Sequence, residues 1–306
     1  MKAWSSTATM SEGNIELSLQ EDGKILINGS GKISGVASTF TAQRSEDKTV
    51  KLVVKTSPSE YLSNRIGDFT KVDISGNSAM KLHLEYDTFS KSGIVDIAAD
   101  LQEAAIDLPL LNWAKFPGEV GEVEALVEFS DNTVKNVTIT KALFGTSHAE
   151  AVLEMSPNFA ISRATLKNVK FPGYDIDELI VTIDDDNALD VVAEGGLIDT
   201  TFLLRTTGLS EKRKIAFELS SARLQLATHI TLQGALVGEI DKSGSGTALL
   251  NGSLFVEQSP LIEEATIEAS FDTLHETLSG TGLIGGAEAS LSYSSTATDT
   301  SQLVIR

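Results

Sequence analysis

The residues able to do chemistry in this chain are few, and their spacing does not serve it. The four histidines, His83, His148, His229 and His275, stand far apart, and none has a ligating partner at i+2 or i+4. A zinc site would have to be assembled from distant segments, so they read as surface or rim histidines. The densest acidic run, Asp184, Asp185 and Asp186 with Asn187 and Asp190, is rich in the oxygens calcium prefers, yet lacks the glycine and terminal glutamate of an EF-hand loop. It reads as a solvated hairpin turn between Val181-Thr182-Ile183 and Leu189-Asp190-Val191. No Gly-x-Ser-x-Gly elbow exposes a nucleophile, and no pair among the 43 carboxylates is set apart for acid and base work. Gly280-Thr281-Gly282 and Gly285-Gly286 do not form a phosphate-cradling G-x-G-x-x-G, and no helical pattern follows them. With no cysteine, disulfides, thiolate metal sites and thiol catalysis are excluded. The expectation is a protein that is not an enzyme, with no metal and no cofactor.

Composition narrows the partners. The 306 residues are 41% hydrophobic, enough to bury a substantial core, and 43 acidic against 24 basic residues give a formal charge of -19. A polyanion would meet net repulsion, so nucleic acid is not an expected partner. The one basic triplet, Lys212-Arg213-Lys214, lies in a polar turn and reads as a solvated loop. The N-terminal MKAWSSTATMSEGN lacks the apolar core of a signal peptide, and no stretch approaches the ~20 apolar residues that span a bilayer. The chain reads as a soluble piece of a longer protein.

The elements that would position any site are strands. Apolar and polar residues alternate at Ile15-Leu17-Leu19, Val50-Leu52-Val54, Met80-Leu82-Leu84, Ile94 to Asp100, Val123 to Phe129, Ala149 to Met155, Leu179-Val181-Ile183 and Leu189-Val191-Ala193. The pattern continues at Ile215 to Leu219, Leu224-Leu226, Leu254-Val256 and Ala265 to Phe271. Turn clusters such as Ser130-Asp131-Asn132 and Ser243 to Gly246 separate the runs, so consecutive strands are expected to be antiparallel neighbours in an all-β meander. One short helix is expected near residues 57–66, between Ser57-Pro58 and Gly67, and at most a helical turn over Leu108 to Trp113. Phe116-Pro117-Gly118 has an echo at Phe171-Pro172-Gly173. Residues 1–306 are expected to form a single elongated β module, with a possible sub-boundary near 206–214.

What remains is the apolar face of the strands, mostly Leu, Ile, Val and Ala with only 6% aromatics, so stacking platforms for sugars are scarce. Periodicity alone points first to an ordinary sandwich core closed on itself. The other possibility is an open face that takes acyl chains.

A resemblance favours the second. The string AADLQEAAIDLPLLNWAKFPGEVGEVEALVEF, with Asp100-Leu101, Leu108-Pro109, Trp113, Lys115, Pro117 and Gly118, resembles the corner of the AsmA-like, YhdP-type proteins of bacterial envelopes. SPSEYLSNRIG followed by Ile74-Ser75-Gly76 and KLHLEY is similar to that family's short helix and returning strand, and LKNVKFPGYDIDELIVTID to its later strand pair. The likeness covers residues 10 to 200, and the rest by pattern. It implies an elongated, curved, groove-like or taco-like antiparallel β-sheet of repeat type, carrying phospholipids through the periplasm between inner and outer membranes. It also implies a full-length protein anchored in the inner membrane, working with inner-membrane and outer-membrane components. No family active site exists to carry over. Groove-lining candidates are Leu82, Leu84, Ile97, Val127, Ile139, Leu153, Val181 and Val191, and Trp113, Lys115, Pro117 and Gly118 are expected to form a structural corner. The alternatives are a structural or protein-binding β-sandwich repeat of an envelope or surface protein, and a carbohydrate-processing β-solenoid enzyme.

Overall fold

The computed structural model describes residues 10–306 except 22, 34, 58–72, 109–112, 132, 157–159, 185, 187, 200–213, 228, 273–274 and 297–298. Every regular element among the described residues is a β-strand. The expected helix at 57–66 lies outside them beyond Ser57, as does most of the expected turn at 108–113. The chain divides into two units, Met1–Ser162 and Arg163–Arg306. Of the 206–214 stretch only Lys214 is described.

In the first unit, β1 (Met10–Leu19), β2 (Ile25–Ile33), β3 (Val36–Arg44) and β4 (Thr49–Thr56) form an antiparallel meander. A small sheet is built from β5 (Asp73–Gly76), β8 (Ala104–Leu108) and β9 (Trp113–Lys115). The meander continues through β6 (Ala79–Asp87), β7 (Ser92–Asp100), β10 (Gly121–Ser130), β11 (Thr133–Phe144) and β12 (Ser147–Met155). Strand β7 shows why the sequence folds this way. Val95, Ile97 and Ala99 are half-buried on one face, while Ile94, Asp96, Ala98 and Asp100 are exposed on the other. The chain leaves the main sheet twice, between β4 and β6 and between β7 and β10, and both excursions meet in the small sheet. Two bulges on β11, opposite Glu124/Ala125 and Glu128/Phe129, bend that strand while keeping Val134, Val137 and Ile139 on the apolar face.

The second unit contains most of β13 (Ile161–Phe171), with β14 (Tyr174–Ile183), β15 (Leu189–Glu194) and β16 (Leu197–Asp199). It continues with β17 (Ile215–Ala227), β18 (Ile230–Ile240), β19 (Gly246–Val256), β20 (Ser259–Phe271), β21 (His275–Ile284), β22 (Ala287–Thr296) and β23 (Asp299–Ile305). Pairing is antiparallel from β13 to β15 and from β17 to β23, but β15 and β16 both run parallel to β17. This corrects the expectation of antiparallel neighbours throughout. Alternating strands read the same in either direction, so the pattern does not distinguish a parallel pair from an antiparallel one. The runs 215–219 and 224–226, read as separate, form one long bulged strand, β17. The Ser243–Gly246 tract is a hairpin tip, held by the Asp241 carboxylate, which accepts hydrogen bonds from the Ser243 and Ser245 amides. The Ser243 hydroxyl, which donates to the same carboxylate, and with it those amide bonds keep the Asp241 carboxyl below its ordinary value of 3.8.

The apolar face of the strands in this unit holds deeply buried residues: Leu232, Ile262 and Ile267 are each 1% exposed, and Leu254 is fully covered. Across it runs a row of small residues, Ala222–Gly234–Gly252–Ala265, beside register shifts in β17 and β20. A Cβ added at Gly252 would run into the Gln233 carbonyl and lie 2.6 Å from the Gly234 Cα, so the absent side chains let adjacent backbones approach closely. Gly252→Val is expected to cost about 3 kcal/mol, read as a lower midpoint in denaturant unfolding, from overpacking against backbone that has no room to yield.

Candidate functional site

Residues opposite one another on adjacent strands share a face, so the register of the first unit defines rows that run across the sheet. One row is Leu17–Ile27–Ala42–Leu52–Leu84–Val95–Val127–Val137–Leu153. The next is Ile15–Gly29–Phe40–Val54–Leu82–Ile97–Ala125–Ile139–Ala151, in which a Cβ on Gly29 would run into the Phe40 ring. Both rows are apolar from β1 to β12. A third carries Tyr86, Gly93 and Phe129, where the missing side chain of Gly93 makes room for the Phe129 ring, stacked on Tyr86 at 5.8 Å.

Six of the eight groove candidates, Leu82, Leu84, Ile97, Val127, Ile139 and Leu153, fall in the first two rows. All six are half-buried rather than buried. Val181 and Val191 are in the second unit, directly opposite each other on β14 and β15, and are half-buried too. The sequence did not show that Phe40, Leu52, Val54, Val95 and Val137 complete the rows, because pairing partners and bulges are fixed by register. At the β1 end the face is open: Ile15, Leu17 and Leu19 are 56%, 65% and 72% exposed.

The small sheet covers the other margin of this face. Ile74, Leu101, Ala104 and Ile106 are buried there, against Ala99, Val123 and Phe144 of the main sheet and Trp113 of β9. Trp113 and Phe144 meet ring to ring at 5.9 Å. Lys115 is 1% exposed, and its ammonium donates to the carbonyls of Gln102 (3.2 Å), Ala104 (2.8 Å) and Phe116 (3.1 Å). Burial holds its pKa below the ordinary 10.5, partly offset by Glu119, Glu103 and Asp100. Gly121 is the matching absence, since a Cβ there would lie 2.6 Å from the Lys115 Cε. Pro117 is in an exposed turn in which Gly118 adopts φ +90° and donates to Gln102 O at 2.8 Å. Pro172-Gly173 repeats that turn with φ +84°, here as the tip of the β13–β14 hairpin, and Pro followed by Gly at positive φ is what a type II turn requires.

The opposite face is polar and laced with cross-strand ion pairs, among them Lys51–Glu85 at 2.7 Å and Lys141–Glu122. His83 faces Asp96 at 3.9 Å, His229 Glu257 at 4.0 Å and His275 Asp272 at 3.4 Å, all with exposed side chains. Asp184 accepts hydrogen bonds from the Asp186 and Ala188 amides in the β14–β15 turn. Among the described residues no group of three or more His, Asp or Glu side chains converges as a metal site. No helix among the described residues is long and apolar enough to cross a membrane.

The arrangement offers aliphatic contact rather than reactive groups. At ~4.8 Å per strand, nine strands give a face about 38 Å across measured along the sheet, against about 15 Å for one leaflet of a bilayer's hydrocarbon. No family model matches the chain, and no curated protein or solved structure is significantly similar to it.

Proposed function

We propose that this chain is a periplasmic lipid-transport module that holds phospholipid acyl chains on the aliphatic face of its sheet, between inner and outer membranes. The observation that carries this reading is the pair of unbroken apolar rows through Leu84 and Leu82, most of whose members are half-buried, with the small sheet packed at one margin. Each buried methylene contributes about 0.8 kcal/mol, so ten methylenes along a row supply about 8 kcal/mol. That is of the order needed to offset the cost of association. The AsmA-like resemblance of the corner at Trp113, Lys115, Pro117 and Gly118 supports the compartment, an inner-membrane anchor on the full-length protein, and partners in both membranes. In this reading the protein needs no catalytic residue and no cofactor.

A second reading, a structural or protein-binding module, is favoured by the β1 edge. Its only strand partner among the described residues is β2, and it exposes Ile15, Leu17 and Leu19. Mass spectrometry of organic extracts from the chain purified out of bacterial cells separates the two. Stoichiometric phospholipid is the expected result; a lipid-free chain that retains a protein partner would reject the first reading in favour of the second.

A further inference from the structure

Strand register puts a single charge on the apolar face of the first unit. From β2 to β12 the residues in direct register on that face are aliphatic, aromatic, small or hydroxyl-bearing, and Arg44 alone is charged. Lys135, the extra residue of a β11 bulge, has no register partner. Arg44 extends the third row across β4, β3 and β2, as Ile25–Arg44–Val50–Tyr86–Gly93–Phe129. Ala42, two residues before it on β3, belongs to the Leu84 row, so the guanidinium stands one step beyond the aliphatic rows and on their side of the sheet.

Lys32, Lys51 and Lys141 of the same unit each meet a glutamate, whereas the exposed Arg44 side chain makes no ion pair or hydrogen bond among the described residues. Its row holds no carboxylate. Glu46, two residues on in the β3–β4 turn, lies beside Gly23 and does not pair with it. The position also selects one end of the strands. At the other end the small sheet packs onto Ala99, Val123 and Phe144; at this end the face finishes in half-buried Ile25, Val50, Tyr86 and Phe129, next to the hairpin turns.

Building on the lipid reading above, we infer that Arg44 binds the phosphate of a phospholipid headgroup whose acyl chains lie on the Leu84 and Leu82 rows, so that headgroups leave the face along the Tyr86–Phe129 margin. A guanidinium suits that place: it donates two parallel N–H bonds to phosphate oxygens, and it is less strongly hydrated than an ammonium, so it works beside Ile25 and Val50. Tyr86, in the same row, adds a phenol where apolar surface meets water.

The test measures capture from phosphatidylcholine vesicles carrying either phosphatidic acid or diacylglycerol with the same chains, in wild type, Arg44→Gln and Lys55→Gln. Lys55 is the control, since it faces Lys81 across β4 and β6 on the polar side of the sheet and its loss changes the net charge equally. Wild type is expected to capture phosphatidic acid about tenfold better than diacylglycerol, against the repulsion of its formal charge of -19. Arg44→Gln should abolish that preference and still take up diacylglycerol, and Lys55→Gln should keep it. Both side chains are exposed, so neither variant should unfold at a lower temperature. An unchanged preference in Arg44→Gln, an equal loss in both variants, or a wild type that takes up both lipids without preference overturns the site and leaves the apolar face standing. Capture of neither lipid overturns the lipid reading and the headgroup site with it; calorimetric titration of inorganic phosphate then shows whether Arg44 binds free phosphate instead.

Discussion

Leu84→Asp is expected to reduce phospholipid capture about tenfold or more while costing only about 1–2 kcal/mol of stability. Leu84 lies mid-row between Leu52 and Val95, and its side chain is half-buried, so a carboxylate there keeps access to water. It still places a charge in the path of any acyl chain lying along the row. Leu254→Asp is the contrasting change. Leu254 is fully covered between Leu232 and Ile262, so a carboxylate there is stranded without solvent, and a loss of about 5 kcal/mol is expected. Denaturant unfolding of the two variants, with lipid quantified in parallel, measures the difference. Equal destabilisation by both would mean that the Leu84 face is an ordinary closed core.

Lys115→Met carries the second large effect, a loss of about 3 kcal/mol. The methionine fills similar volume but abandons three carbonyl acceptors, including Ala104 O, the one buried bond of the three. The corner would then lose its tie between the start of β8 and the end of β9, and the small sheet its grip on Ala99, Val123 and Phe144. The pH dependence has a definite sign. Because the folded pKa lies below 10.5, the unfolded chain binds the proton more tightly, and wild-type stability gains on the variant as pH rises from the folded pKa towards 10.5. Unfolding curves for both proteins across that alkaline window provide the check, and a flat difference would contradict the buried ammonium.

The strands were legible because one face of each is apolar: the alternation from Ile94 to Asp100 and from Val123 to Phe129 marks β7 and β10 directly. That they pair directly agrees with the expectation that consecutive runs are antiparallel neighbours; what was not legible is that the excursion between them supplies β8 and β9 of the small sheet. Lys115 was recognisable as part of a structural corner, but its burial depends on carbonyls of Gln102 and Ala104 that only the folded chain brings to it. The parallel pairing of β15 and β17 left no trace, because period-two alternation carries no direction. Lys55 and Lys81 looked like scattered basic residues; the β4–β6 register across the 57–78 excursion is what sets them face to face.

The central claim is that the face carrying Leu84 and Val127 meets lipid. Photocrosslinking in living cells from a photoreactive residue at position 84 or 127, with position 83 on the opposite face as control, tests it most directly. Phospholipid adducts at 84 and 127 and none at 83 are the predicted result; crosslinks at 84 and 127 confined to the chain's own side chains would contradict it.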